Sequence, residues 1–132
     1  MNLIRRTHIA DDITKGHAYV LCRELIPVAY AAVSFDGEPV YWYIDGKWLS
    51  SGPFVVVHRL AVADGMKGKG LATLFMQNVE KMSLKKGVTS FRVDTNFDNV
   101  SMQKVLEKLG FTYCGEITFQ KGRRLAYEKT PG

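Results

Sequence analysis

Apolar residues in this chain come in short runs separated by polar, glycine-bearing stretches, and the spacing inside each run indicates the element it builds. Residues 18–22 and 26–35 are two β-type runs, the second closed by Asp36-Gly37. Arg23-Glu24-Leu25 between them predicts a hairpin turn made without glycine. Residues 36–52 are rich in Gly, Asp and Ser but carry Trp42, Tyr43 and Trp48, which predicts a long loop pinned by aromatics. The nearly unbroken apolar run Phe54–Val62 predicts a strand covered on both faces. After a glycine-punctuated turn over 63–70, Leu71, Leu74, Phe75, Val79 and Met82 recur at three- and four-residue spacing, the mark of an amphipathic helix, and Gly87 ends it. Ser90–Thr95 is a further strand. Asn99 can cap a second helix with apolar positions Met102, Val105, Leu106 and Leu109, stopped by Gly110. Residues 111–119 and 124–128 are two last strands joined by Gln120-Lys121-Gly122-Arg123.

The predicted order is therefore β-β-β-α-β-α-β-β. Strand, glycine turn, helix and strand form a βαβ unit, which is right-handed in nearly all cases. Hairpins at both ends make the sheet mixed and mostly antiparallel, an α/β (α+β mixed) fold class. The length of 132 residues predicts one domain over 1–132. Charged residues at 23% against 46% hydrophobic exclude a disordered chain. No apolar run reaches the ~18–20 residues of a membrane span. The start Met-Asn-Leu-Ile-Arg-Arg lacks the apolar stretch of a signal peptide, so a cytoplasmic setting without membrane partners is expected. His8, His17 and His58 are scattered and give no zinc spacing with Cys22 and Cys114, so no metal is expected and the cysteines are read as buried, reduced thiols. The net charge of +5 suits any polyanion. The basic residues are spread along the chain, with no basic tail and no interleaved aromatic stacking motif, so a nucleic-acid partner is not expected.

Gly65, Gly68 and Gly70 sit between a buried strand and an amphipathic helix. The first turn of a helix carries unpaired N–H groups and the positive end of the helix dipole. Glycines there let the backbone approach a bulky anion, which suits a phosphate or pyrophosphate. Lys67 and Lys69 add full positive charge at the same spot. A Walker A loop is excluded, because Leu71 and Ala72 stand where Lys and Ser/Thr are needed. A dinucleotide fingerprint matches at Gly68 and Gly70 and fails at Thr73, although Asp94 lies near the place of a ribose-binding acid. A glycine-rich connection with no ligand stays open as well.

The run Lys67-Gly68-Lys69-Gly70-Leu71-Ala72 resembles the pattern Gln/Arg-x-x-Gly-x-Gly/Ala of the GNAT superfamily of acyl-CoA-dependent N-acyltransferases. Downstream, Asn99-Val100-Ser101-Met102-Gln103-Lys104-Val105-Leu106-Glu107-Lys108-Leu109-Gly110-Phe111 resembles the family's second motif, an Asn-led helix ending Glu-Lys-x-Gly-Phe. The resemblance runs from about His17 to Lys129 and is similar to that of bacterial members with His58-Arg59-Leu60-Ala61-Val62 in the central strand. It implies acetyl-CoA as the cofactor, held at its pyrophosphate by the N–H groups of Gly68, Lys69, Gly70, Leu71 and Ala72 beside Lys67. It further implies that Leu60, Ala61 and Val62 pair with the pantetheine arm, that Asn99 flanks it, and that a backbone N–H near Val62 polarises the thioester carbonyl. The implied reaction is direct attack by a primary amine, on a small molecule or a peptide, in a ternary complex.

Several positions depart from the family pattern. Lys67 keeps charge where the family has Gln or Arg but lacks the planar fork, so weaker cofactor binding is expected. Leu106 occupies the place of the frequent general acid, a Tyr; Tyr113, Tyr127 or Cys114 stands in, or the thiolate leaves unassisted. His58 holds the place of the frequent Glu base and is either that base or a core histidine. Asp94 has the same two readings, a base or a structural group, and is taken as a structural cap near Thr95. Family members usually begin with a strand and one or two helices, whereas fifteen residues precede Gly16 here and Leu3-Ile4-Arg5-Arg6 reads as the tail of the second helix. The first strand and first helices are thus expected to be largely missing, with a homodimer covering the apolar surface so exposed. A non-catalytic acyl-CoA-binding module is the alternative.

Overall fold

The computed structural model describes residues 17–131 and, in backbone alone, residues 2–6. The chain forms two compact units, Met1–Ser34 with Val57–Lys86, and Phe35–Val56 with Gly87–Gly132. The fold is mixed α/β with mostly antiparallel strand pairing, as expected.

The first unit contains strands β1 (Asn2–Arg6), β2 (Ala18–Arg23) and β3 (Ile26–Ser34), the end of the strand over Phe54–Val62 (β5), and helix α1 (Leu71–Lys85). β1 runs antiparallel to β2 with Leu3 opposite Cys22 and Arg5 opposite Val20. This corrects the reading of Leu3-Ile4-Arg5-Arg6 as a helix tail, and the first strand is present. A single helical turn satisfies almost none of its own N–H groups, whereas pairing with β2 gives this backbone partners along its length. The first helices expected to be missing concern residues 7–16, which lie outside the described residues. β2 returns into β3 through Glu24 and Leu25, both left-handed with φ of 51° and 72°. Two positive φ values make the turn whose twist matches the flanking strands. Without glycine, the left-handed backbone costs about 1–2 kcal/mol per residue. α1 packs against β3 through a face of Leu71, Phe75, Met76, Val79 and Ser83. Leu74 and Met82, placed on that face by spacing, are half-buried at its margins.

The second unit contains a 3-10 turn at Pro39–Tyr43, strand β4 (Asp45–Gly46), the start of β5, β6 (Ser90–Thr95), α2 (Val100–Lys108), β7 (Thr112–Phe119) and β8 (Gly122–Lys129). Its strands lie in the order β6-β8-β7-β4, with Phe91 opposite Lys129 and Tyr113 opposite Tyr127. Asn99 caps α2 as expected, its Oδ1 accepting from the N–H of Met102 at 3.1 Å. The helix stops as Gly110 turns left-handed, while the N–H groups of Phe111 and Gly110 donate to the carbonyls of Leu106 and Glu107 at 2.9 and 3.1 Å.

Residues 36–52, expected as a loop, carry structure of their own. Tyr41 is buried in a core of Val56, Ile117 and Ala126, with Trp48 and Phe54 packed on it. β4 then pairs with β7, Gly46 facing Gly115. The two backbones meet so closely that a Cβ on Gly115 would sit 2.2 Å from the Asp45 carbonyl oxygen, and one on Gly46 2.1 Å from that of Cys114. Neither contact can be relieved by rotating a side chain, because both partners are backbone. Gly115→Ala is expected to lose more than about 2 kcal/mol, measured from urea midpoints, by a backbone clash at a position where φ is also positive. A change below ~0.5 kcal/mol, the ordinary surface value, would contradict this account of the pairing.

Candidate functional site

The glycine turn lies wholly within the first unit. β5 leads into it, but not as a regular strand: Arg59 has φ of 55°, left-handed in the middle of the run. Side chains alternate faces only while the backbone stays extended. Past Arg59 the alternation is lost, and Leu60, Ala61 and Val62 are all half-buried. His58, just before the break, is half-buried as well. The strand ends as the N–H of Ala63 donates to the Val28 carbonyl at 2.8 Å, and a turn closes from the Met66 N–H to the Ala63 carbonyl at 3.0 Å.

Gly65, Gly68 and Gly70 have φ of 79°, 78° and 74°. All three therefore need glycine for backbone reasons. A Cβ built on any of them meets nothing within 4 Å, so the space over the turn is open. Gly70 is the N-cap of α1 and offers no side-chain cap. The first helical bond is Leu74 N–H to the Gly70 carbonyl at 3.0 Å. The N–H groups of Leu71, Ala72 and Thr73 consequently have neither an intrahelical acceptor nor a capping side chain. No acidic residue occupies this first turn, and Lys67 and Lys69 are exposed beside it. Donors, dipole and charge all favour an anion here.

The second unit supplies a different kind of chemistry. Ser90, Arg92 and Asp94 alternate along β6, and each is buried with partners. Glu128 is fully buried on β8 and accepts from the Leu49 N–H at 2.7 Å and from the hydroxyls of Ser50 and Ser90. Arg92 Nε stands 3.3 Å from Glu128 Oε2, and Nη2 donates to the Ser50 carbonyl at 2.6 Å. The Arg92 guanidinium also lies 4.4 Å from the centre of the Trp48 ring and 4.1 Å from that of Phe54. Burial alone would raise the Glu128 pKa, but the Ser50 and Ser90 hydroxyls, the Leu49 N–H and the Arg92 charge offset it and hold the carboxyl below its ordinary range.

Asp94 accepts from the Tyr41 hydroxyl at 2.6 Å and from Arg124 Nε, while Arg124 Nη1 donates to Asn96 Oδ1 at 2.7 Å. Burial, then the Asp94 charge, pushes the Tyr41 pKa well above that of a free phenol. Asp94 thus anchors the aromatic segment, which differs from both a ribose ligand and a local cap. Between Tyr41, Trp42, Trp48, Phe54 and Arg92 lies a cavity of about 390 Å³. The period-2 pattern of Ser90, Arg92 and Asp94 was the signal in the sequence for this polar face.

Of the remaining candidates, Leu106 is fully buried on α2 and has no proton to give. Tyr113 is exposed on β7, edge-on to Tyr127 with ring centres 5.8 Å apart. Cys22 and Cys114 are buried and unbridged, as expected. Burial, then the Glu128 charge, pushes the Cys114 thiol up to about 11, so it stays protonated at neutral pH. His58, Leu60, Ala61, Val62 and the turn stand in the first unit, Asn99 and Tyr113 in the second. Among the described residues no group of three His, Cys, Asp or Glu could hold a metal, and no helix is long and apolar enough to cross a membrane.

The Acetyltransferase (GNAT) family model matches residues 4–111. No curated protein matches the sequence. Among solved structures, the chain is similar to a GNAT-family acetyltransferase from Streptococcus agalactiae, at 39% identity and a TM-score of 0.83 over 92% of this chain and 69% of that one. It shares its fold with a GNAT-family acetyltransferase from Listeria monocytogenes, at 18% identity and a TM-score of 0.70 over 90% and 67%. It also shares its fold with an aminoglycoside acetyltransferase solved with coenzyme A, at 21% identity and a TM-score of 0.67 over 86% and 65%.

The lowered Glu128 pKa has a consequence for stability. An unfolded glutamate titrates near ~4.3 and the folded one lower, so on acidification the unfolded chain takes up the proton first. The stabilisation is complete above that value and is lost as pH falls toward the folded pKa. Below about pH 4.3 the wild type should lose stability more steeply than Glu128→Gln, read from urea midpoints across pH. At neutral pH the variant should be weaker by about 3 kcal/mol, since it leaves Arg92 buried without its counter-charge. Parallel pH profiles would remove Glu128 from this role.

Proposed function

The chain belongs to the GNAT family of acetyltransferases, and on that premise we propose that it moves an acetyl group from acetyl-CoA to a primary amine by direct attack in a ternary complex. The observation that carries the proposal is the open mouth of α1, where Gly65, Gly68 and Gly70 are all left-handed and the first-turn N–H groups lack acceptors. In this reading the N–H groups of 68–72 hold the pyrophosphate, with Lys67 and Lys69 neutralising its charge. Leu60, Ala61 and Val62 pair with the pantetheine arm, and Asn99 flanks it.

The amine lone pair attacks the thioester carbonyl, whose oxygen a backbone N–H near Val62 polarises. The C–N bond forms, the C–S bond breaks, and the nitrogen proton passes to His58, a neutral imidazole being a competent acceptor near pH 7. Tyr113 protonates the departing thiolate. A general acid contributes roughly 10²–10⁴ in rate, so Leu106 in the family's acid position lowers rather than abolishes the expected activity. The same leucine favours the second reading, a module that binds acyl-CoA without turning it over.

Acetyl-CoA should raise the melting temperature of the wild type and not that of Gly70→Val, each compared with its own ligand-free protein. A valine there blocks the approach of a diphosphate to the backbone. Equal shifts in both proteins would displace the cofactor from this turn. Free-thiol release with a panel of amines then separates enzyme from module: binding without release across the panel supports the module.

Homodimerisation is proposed for the first unit, where the tip of the β2–β3 hairpin bares Leu25 and Ile26, 73% and 65% exposed. Sedimentation at micromolar concentration should give a dimer, and Leu25→Asp should shift it toward monomer. A wild-type monomer under these conditions would end the proposal.

A further inference from the structure

The cavity at Tyr41, Trp48 and Phe54 is lined by residues of the second unit alone, and the transfer steps make no use of it. Its volume of about 390 Å³ suits a small molecule, for which sites run from ~300 to 1,000 Å³ and are mostly apolar with a few convergent polar groups. Trp48 and Phe54 each face the Arg92 guanidinium, and Tyr41 packs on both with ring centres 5.0 and 6.0 Å away. These three rings are therefore walls, each held by its neighbours. Trp42 also belongs to the lining, yet 88% of it is in water. Its indole presents a broad apolar face to a flat ring entering the hollow.

The lining carries three charged side chains, and each is already engaged. Arg92 lies beside Glu128 and against the Trp48 and Phe54 rings, while Asp36 and Glu38 have partners of their own. A charged ligand would give up its hydration here without meeting an unspent counter-charge, whereas an uncharged one loses far less. Hydrogen bonding is another matter. A guanidinium has five N–H groups. In Arg92, Nη2 donates to the Ser50 carbonyl at 2.6 Å, and Nε meets Glu128 as an ion pair without a hydrogen bond. Further N–H groups on the Nη atoms thus remain to be given, and a neutral carbonyl takes them without adding charge. We propose that this cavity is a binding site for an uncharged, planar aromatic molecule bearing a carbonyl, its ring stacked on Trp42 and its oxygen accepting from Arg92. The site goes beyond the transferase reading and does not depend on it.

Calorimetric titration of the whole chain with benzamide, in the absence of coenzyme A, tests the site. Benzamide should bind with a Kd of about millimolar or tighter. Benzoate and benzamidine share its shape and carry one negative and one positive charge, and each should bind roughly tenfold more weakly or not at all. Cyclohexanecarboxamide, which keeps the amide and loses the flat ring, should bind roughly threefold more weakly or worse. Acetophenone, which keeps the carbonyl and lacks the amide N–H groups, should bind comparably to benzamide. Trp42→Ala should keep the wild-type urea midpoint and weaken benzamide roughly three- to tenfold. Benzamide that does not bind well above millimolar concentration, or binds the wild type and Trp42→Ala equally, overturns the proposal. Benzoate or benzamidine binding as tightly as benzamide overturns the uncharged class, and acetophenone that fails to bind removes the Arg92 contact. Because the ligand-binding comparisons on the wild type need no variant, they decide the matter even if Trp42→Ala does not fold. None of these results depends on whether acetyl-CoA raises the melting temperature.

Discussion

An α-helix that begins on a left-handed residue cannot cap itself with a side chain of the usual kind, and Gly70 puts α1 in that position. The uncapped start leaves donors of the first turn unmatched. The N–H groups of Leu71, Ala72 and Thr73 stay without protein acceptors, at the positive end of a fifteen-residue helix. The space over the neighbouring glycines is open, since a Cβ on Gly68 or Gly70 would meet nothing within 4 Å, and unpaired donors cost far less beside open space than in a core. The face of Leu71, Phe75, Met76 and Val79 supplies the packing that holds the helix in place despite its bare first turn. A residue with a Cβ at Gly65, Gly68 or Gly70 would strain the turn even though there is room for the atom, so conformation, not space, selects glycine.

The second unit solves the opposite problem. It takes charge inside and surrounds it with partners, Glu128 accepting three hydrogen bonds and lying beside Arg92, whose Nε makes the ion pair but no hydrogen bond. A buried ion pair is a poor source of net stability, because desolvation consumes most of the Coulomb gain. Its effect here is geometric. Leu49, Ser50, Trp48 and Phe54 are all bound to it or stacked on it, so these contacts tie the segment after the 3-10 turn to β6 and β8. The Tyr41–Asp94–Arg124 chain does the same for the segment before it.

Long periodic elements could be read from residue spacing alone. The face of α1, the Asn99 cap and the Gly110 stop of α2, and the glycine-free hairpin at Glu24-Leu25 all follow from local rules that tertiary contacts did not override. Three features were out of reach for physical reasons. β4 is two residues long, too short for any periodicity, and exists only because Gly46 meets Gly115 far along the chain. The left-handed turn of Arg59 lies in a run whose composition is all strand-like, and arginine gives no hint of positive φ. β1 takes its conformation from pairing with β2, which four residues of mixed character do not announce. As for the site, the left-handed glycine turn before α1 was legible because glycine has few other reasons to recur there. The Glu128 cluster was not, since its members are drawn from separate segments far apart in the chain.

The meeting of Gly46 and Gly115 separates two kinds of evolutionary freedom. Backbone touches backbone there, so the register of β4 on β7 does not depend on the identity of any neighbouring side chain. Trp42 and Tyr43, a few residues upstream and largely in solvent, can be exchanged for other residues while that register stays as it is. Descendants of this sequence can thus drift at the aromatic rim without first finding a compensating change in the frame. Two glycines hold the frame constant, and the variation falls on the rim.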